Sequence, residues 1–153
     1  MHSQLTLTPL LERAGRLFGK TAIVSQRPDN STCRSSYGDM YRRARALAAA
    51  LQDVGLRPGD RVATLMWNHH MHLEAYFGVP AIGGVLHTLN LRLHPDELTY
   101  IVNHAKDRFL IVDDVLLPLF EKFRAQTAFE RVIVVPLSAK PVQSGDDYEA
   151  LIA

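Results

Sequence analysis

Apolar residues change their spacing several times along this chain, and each change marks an element. Leu10, Leu11, Ala14, Leu17 and Phe18 recur at helical spacing. Thr8 reads as the cap of that helix, Pro9 as its first helical residue and Gly19 as its stop. Two short β-type runs follow, Thr21 to Val24 and Cys33 to Tyr37, separated by Arg27-Pro28-Asp29-Asn30, which has the residues of a turn. They predict an antiparallel hairpin set apart from any main sheet. Over residues 38–54 the helical period is clearest: Met40, Ala44, Leu47, Ala48 and Leu51 form the apolar stripe, and Arg42, Arg43 and Arg45 sit largely off it. Gly55 ends this helix, and Pro58-Gly59-Asp60 turns the chain.

From there a strand–helix pattern repeats. Arg61 to Trp67, Val85 to Leu89, Phe109 to Val112 and Arg131 to Val135 read as strands. Asn68 caps a helix through about Ile82, with Leu73, Tyr76 and Phe77 turned inward and Pro80 kinking or shortening it. Pro95 to about Ala105 is a helix carrying Leu98, Ile101 and Val102; another covers about 115–125 with Leu116, Leu119, Phe120 and Phe123. Residues 139–146 are loop-like, and Asp147 to Ala153 begins a last helix. Such alternation predicts an α/β fold: a parallel sheet flanked by helices, joined by right-handed crossovers, with a small N-terminal antiparallel hairpin. The strand ends then bring Trp67-Asn68, Thr88 to Asn90, Asp113-Asp114 and Pro136 to one edge, the place where open α/β sheets gather ligands.

Composition narrows the classes. With 153 residues the chain fits one domain with a real core. Seventeen basic against sixteen acidic residues leave a net charge of +1, so no electrostatic argument favours nucleic acid or an anionic membrane. No apolar run reaches transmembrane length, and MHSQLTLTPLLERAG lacks the basic start and long apolar core of a secretion signal. A single cysteine, Cys33, cannot form an internal disulfide; together these features lead to an expectation of a cytoplasmic protein.

Candidate chemistry is sparse. Asn68-His69-His70-Met71-His72-Leu73-Glu74 gathers three imidazoles and a carboxylate; His69 with His72, and His70 with Glu74, have the three- and four-residue spacings of helical metal ligands. The two pairs point in different directions and HExxH is absent, so a solvated first turn is the preferred reading. Gly83-Gly84 matches no phosphate-loop motif and serves better as a helix stop before a buried strand. Cys33 has no activating neighbour and reads as a structural or exposed thiol. Asp113-Asp114 suits a metal or a ribose, but more readily caps the next helix. The Arg42, Arg43, Arg45 cluster reads as a solvated face. None of these makes a catalytic set.

Four blocks carry a family resemblance: SYGDMYRRARALAAALQDVGLRPGDRVATLMWN (Ser36 to Asn68), HLEAYFGVPAIGGVLHTLNLRL (His72 to Leu93), HPDELTYIVNHAKDRFLIVD (His94 to Asp113) and the closing DYEALIA. In order and spacing the chain, from about Leu5 to Ala153, resembles the N-terminal region of adenylate-forming (AMP-binding) enzymes, and within them the medium- and long-chain fatty acyl-CoA synthetases. It departs from them at Leu91, where relatives often carry proline, which removes a rigid turn residue. His94 stands where Ser often precedes Pro95, which predicts a weaker helix cap. The resemblance implies a parent enzyme that uses ATP and Mg2+ to activate a fatty acid as its adenylate and then transfers the acyl group to CoA. It further implies that the Ser/Thr/Gly-rich phosphate loop, the acyl tunnel and the mobile C-terminal domain lie beyond DYEALIA, so residues 1–153 form an N-terminal portion that is inactive alone. It places His87, Thr88, Asn90 and Arg92 near the CoA nucleotide, with a structural role for His87 and Thr88 as the alternative. It also implies homodimerisation through the N-terminal region.

Two other readings stand beside that one. A non-catalytic module for dimerisation or partner binding would use surface that the rest of a parent enzyme covers. The histidine cluster supports a weaker third reading as a metal-binding protein.

Overall fold

The computed structural model describes residues 6–153; the part of the secretion-signal and resemblance readings that falls on residues 1–5 lies outside them. Helix α1 spans Thr8–Leu17 and turns only Leu11 fully inward, leaving Leu10, Leu17 and Phe18 exposed. Thr8 is not its cap: the residue before the helix is Leu7, already helical in φ and ψ, and no side chain among the described residues caps it. Strands β1 (Ala22–Gln26) and β2 (Thr32–Ser36) pair antiparallel, Ser25 opposite Cys33, as a separate two-stranded sheet. Helix α2 (Tyr37–Asp53) starts from a capping box: the Asp39 N–H donates to Ser36 Oγ at 3.1 Å, and the Ser36 N–H donates back to the Asp39 carboxylate at 2.9 Å.

Five strands make the main sheet: β3 (Arg61–Leu65), β4 (Val85–Thr88), β5 (Phe109–Asp113), β6 (Arg131–Val135) and the two-residue β7 (Asp146–Asp147). They lie in the order β4-β3-β5-β6-β7, all pairs parallel. Helices α3 (His70–Ala81) and α4 (Pro95–Ala105) and the short α5 (Leu117–Phe120) lie in the crossovers, and the short α6 (Tyr148–Leu151) follows β7. Successive residues of a strand face opposite sides, so Val62, Phe109, Ile111 and Ile133 pack with Leu47, Leu51, Ala75 and Tyr148 on one face. Ala63, Leu65, Leu110 and Val112 pack with Leu98, Val102, Phe120 and Phe123 on the other. Both faces are covered, which is why β5 reads Phe-Leu-Ile-Val without alternation and every residue of it is buried. Among the described residues no helix is long and apolar enough to cross a membrane.

Several expectations need correction. The first strand of the repeat ends at Leu65, two residues before Trp67. Asn68 does not cap α3; His69 occupies that position, and its side chain makes no capping bond. The buried face of α3 is Met71, His72, Glu74, Ala75, Gly78 and Val79, and Tyr76 lies exposed. That face packs on α2 so closely that a Cβ at Gly78 would meet the Ala44 carbonyl oxygen at 2.8 Å. Leu73 and Phe77 do pack inward, partly buried against Leu11, Met40 and Ala44, so only Tyr76 departs from the expected set. The helix expected over 115–125 is instead a 3-10 turn at Asp114–Leu116, α5, and a second 3-10 turn at Arg124–Gln126; Pro118 lies in the first turn of α5, where its missing N–H restarts a helix rather than extends one. At the end of the expected loop and the start of the expected last helix, Asp146 pairs with Ile133 and Asp147 with Val134, a strand with no apolar pattern to announce it, and the helix begins at Tyr148.

Candidate ligand-binding edge

The carboxyl ends of β3 and β4 build the edge. Thr64 and Thr88 are register partners, and the Leu89 N–H donates to the Thr64 carbonyl at 2.9 Å, carrying the pairing one residue past the strand. The chain then turns on Asn90, whose Oδ1 accepts the Arg92 N–H at 3.0 Å and whose carbonyl accepts the Leu93 N–H at 3.2 Å. Asn90 thus closes the turn where Leu91 supplies no rigid ring. Pro95 then opens α4; the Asp96 N–H reaches His94 Nδ1 only at 3.4 Å, and the shorter bond runs from the His94 N–H to Glu97 at 2.9 Å. Thr88, Asn90 and Arg92 line one groove of about 280 Å3 together with Trp67, His72 and Tyr76.

His87 does not join them. Its Nδ1–H donates to both carboxylate oxygens of Asp107, at 2.8 and 3.0 Å, and it does not line the groove. Asp107 is buried, and burial pushes its carboxyl above the usual range against the opposing pull of His87. Neither carboxylate of the Asp113-Asp114 pair caps a helix. Asp113, wholly buried, accepts His69 Nε2–H at 2.9 Å and the Trp67 N–H at 2.7 Å. Asp114 accepts the backbone N–H of Ser138 at 3.1 Å and its hydroxyl.

The histidine cluster divides the same way. His72 is a hub: its Nδ1–H donates to the Trp67 carbonyl at 3.1 Å, which leaves Nε2 to accept the Thr64 hydroxyl at 3.0 Å. Its ring packs against Tyr76 with centroids 5.0 Å apart. Burial holds His72 below the usual imidazole range, as it must for a ring that accepts through Nε2. His70 has Nε2 4.0 Å from the Cys33 sulfur, and burial pushes it down to about 4. Glu74 turns away to Arg43 Nε at 2.8 Å and the Tyr148 hydroxyl at 2.8 Å, while Arg43 also holds Glu149 at 2.7 and 2.8 Å. Among the described residues no three His, Cys, Asp or Glu side chains gather as metal ligands. His69 Nδ1 and His70 Nδ1 are buried with no hydrogen-bond partner among the described residues.

Sequence reading brought Trp67 and Asp113 to this edge but missed His72, which it grouped with the histidine cluster, and Tyr76, which it turned into the core. Between the hairpin turn and the same edge lies a larger recess of about 620 Å3, lined by Arg27, Pro28, Trp67, Asn68, Val115 and Leu137.

An open, helix-covered parallel sheet with a polar and aromatic groove at the carboxyl ends of its strands defines an α/β domain with a candidate ligand edge. The chain belongs to the family of AMP-binding enzymes, whose model matches residues 10–150. It is 49% identical over 126 residues to a long-chain-fatty-acid–CoA ligase of Thermus thermophilus, covering 82% of this chain and 23% of that protein. Against a medium-chain-fatty-acid–CoA ligase of Ectopseudomonas oleovorans it is 42% identical over 119 residues, covering 78% of this chain and 22% of that one. The fold is shared with an acetoacetyl-CoA synthetase from Streptomyces lividans (TM-score 0.82, 22% identity, 94% of this chain and 24% of that one). It is shared equally with the anthranilate CoA ligase AuaEII solved with anthranoyl-AMP (TM-score 0.80, 23% identity, 96% of this chain and 27% of that one). The chain spans about a quarter of the length of the curated relatives it matches.

Proposed function

We propose that this chain is the N-terminal portion of a fatty acid–CoA ligase, an enzyme that joins a fatty acid to CoA using ATP and Mg2+, and that its sheet edge supplies one wall of the CoA site through Thr88, Asn90 and Arg92. The observation that carries the reading is the convergence of these three residues on one groove in a chain 49% identical to a long-chain-fatty-acid–CoA ligase. Arg92 is exposed beside the groove, and a guanidinium there suits a CoA phosphate through charge-assisted hydrogen bonds. Thr88 and Asn90 are exposed as well and offer a hydroxyl and an amide. His87 serves this edge indirectly, by pairing with Asp107 beneath β4.

Residues 1–153 contain neither a phosphate-loop motif nor a catalytic set, so on this reading they form no acyl-CoA alone. The test is a chimera. Residues 10–150 replace the matching segment of the Thermus thermophilus ligase, and acyl-CoA formation is measured beside the isolated chain. The expected result is activity in the chimera, none in the isolated chain, and a raised KM for CoA when Arg92→Ala is introduced. A folded chimera without ligase activity, or an isolated chain that makes acyl-CoA, would overturn the reading.

A further inference from the structure

Strand β7 and helix α6 are too short to hold themselves in place. Asp146 and Asp147 are the whole of β7, and four residues do not make a stable helix without tertiary support. An exposed ion pair of Asp146 with Arg131 adds little. The segment starts from Gly145. Its φ of +87° lies in the left-handed region, and a Cβ there would meet the Val132 carbonyl oxygen at 2.8 Å, so glycine alone brings the chain onto β6 at this point. Beyond it Tyr148 is wholly buried in the cluster of Ile133 and Val135, and Leu151 and Ile152 pack on the same cluster. One arginine of α2 grips the start of α6. Arg43 Nε donates to Glu74 of α3 at 2.8 Å, and Nη1 and Nη2 donate to the two oxygens of Glu149 at 2.8 and 2.7 Å. The other Glu74 oxygen accepts the Tyr148 hydroxyl at 2.8 Å, and the guanidinium lies 6.0 Å from the centroid of the Tyr148 ring. Two consecutive residues of a four-residue helix therefore end on one ion pair between α2 and α3. The Glu74 side chain is 2% exposed and that of Glu149 45% exposed. The inner half of the network belongs to the frame, and the outer half can detach while Arg43 and Glu74 stay paired.

We infer that residues 146–152 form a strap that undocks from the sheet as one unit about Gly145, and that Arg43 is the clasp that closes it. The open strap uncovers apolar surface over Ile133 and Val135; the closed one is held in register by a two-pronged bond to Glu149 and by the Tyr148 hydroxyl. The device belongs to the fold and is independent of the proposed function.

Amide hydrogen exchange of the 153-residue chain tests both parts. The Ala150 and Ile152 N–H groups are bonded to Asp147 and to the Tyr148 carbonyl. They should exchange together, faster than the amides of β5, and with little response to low urea concentrations, as a local opening does. Val102→Ala, in the cluster on the opposite face of the sheet, should speed exchange in β5 and leave the strap unchanged, because the strap opens without unfolding the frame. Glu149→Ala should speed strap exchange severalfold, and Tyr148→Phe should do the same by deleting the bond to Glu74. Arg43→Lys keeps a cation beside Glu74 but has no fork for Glu149, so it should match Glu149→Ala, and the double variant should add little to either. Strap amides that follow β5 in Val102→Ala overturn the inference, because the strap then opens only with the whole fold. An unchanged strap rate in Glu149→Ala, or additive effects of Arg43→Lys and Glu149→Ala, removes Arg43 as the clasp and overturns it equally. Should Arg43→Lys not fold, the urea dependence of the parent chain and the Val102→Ala, Glu149→Ala and Tyr148→Phe rates decide between the same outcomes.

Discussion

Strand β5 is bracketed by two aspartate–histidine pairs, and they differ in what they serve. Asp107 lies just before the strand and holds His87 of β4; Asp113 ends it and holds His69. Both carboxylates are fully buried, yet the His87 side chain is 27% exposed and that of His69 only 1%. Asp113 also accepts a backbone N–H, from Trp67. The pair at the amino end closes a gap under an edge strand and keeps access to water. The pair at the carboxyl end is sealed, and it fixes the backbone of the ring that faces the groove. The same chemistry therefore supports the frame at one end and fixes a wall of the groove at the other.

The largest effect expected is at the sealed end. Asp113→Ala leaves the Trp67 N–H and His69 Nε2–H without an acceptor in a dry site, and should cost about 3–5 kcal/mol. Urea denaturation measures this directly, and the free indole should shift its emission to the red. His69→Ala removes one of those two donors and should cost about 2–3 kcal/mol, because Asp113 keeps the Trp67 bond but loses its buried partner. A loss below that of the matching His87 variant would invert the comparison.

Much of this frame was legible in the sequence, and the reasons are physical. The stripe of α2, the four main strands and α4 follow from apolar periodicity, because each buries a face whose spacing the backbone dictates. What stayed hidden rests on partners distant in sequence. Asp113 reads as a helix cap until β3 and β5 pair and bring Trp67 beside it. Glu74 looks like a member of the histidine cluster, but it bonds instead to Arg43 and Tyr148, from α2 and α6. At the edge, Thr88, Asn90 and Arg92 were placed together by the family resemblance, and the structure groups them in one groove. His87 followed them in sequence only, since its neighbour Thr88 points to the other face of the strand.

The third histidine separates burial from pairing. His70 has no carboxylate, and burial pushes it down to about 4, so the folded chain holds it neutral. The unfolded chain protonates the same ring near 6.5. Between those values the unfolded state binds the extra proton, so stability is fully present above about 6.5 and is lost as pH falls toward about 4. Glu74 and Asp107 act oppositely: burial raises both, so acidification just above their unfolded values favours the folded state. Comparing the parent chain with His70→Asn between pH 7 and 4 isolates the imidazole. The variant should lose less stability over that range, and parallel curves would remove His70 from the acid response.

The smallest effects should fall at the open end and on the crest, where they sharpen the contrast most. His87→Ala strands a buried Asp107 carboxylate, but the vacated space opens to water, and burial has already shifted that group toward its neutral form. The expected cost is about 1–2 kcal/mol, below that at His69, with CoA affinity essentially retained because His87 does not line the groove. Arg92→Ala should do the reverse. The side chain is exposed and its backbone bond to Asn90 survives the substitution, so stability should change by no more than about 0.5 kcal/mol while nucleotide binding weakens. Denaturation and CoA binding measured on the two variants together decide the matter. If His87→Ala weakened CoA as much as Arg92→Ala does, the amino-end pair would belong to the binding surface, and frame and groove could no longer be assigned to opposite ends of β5.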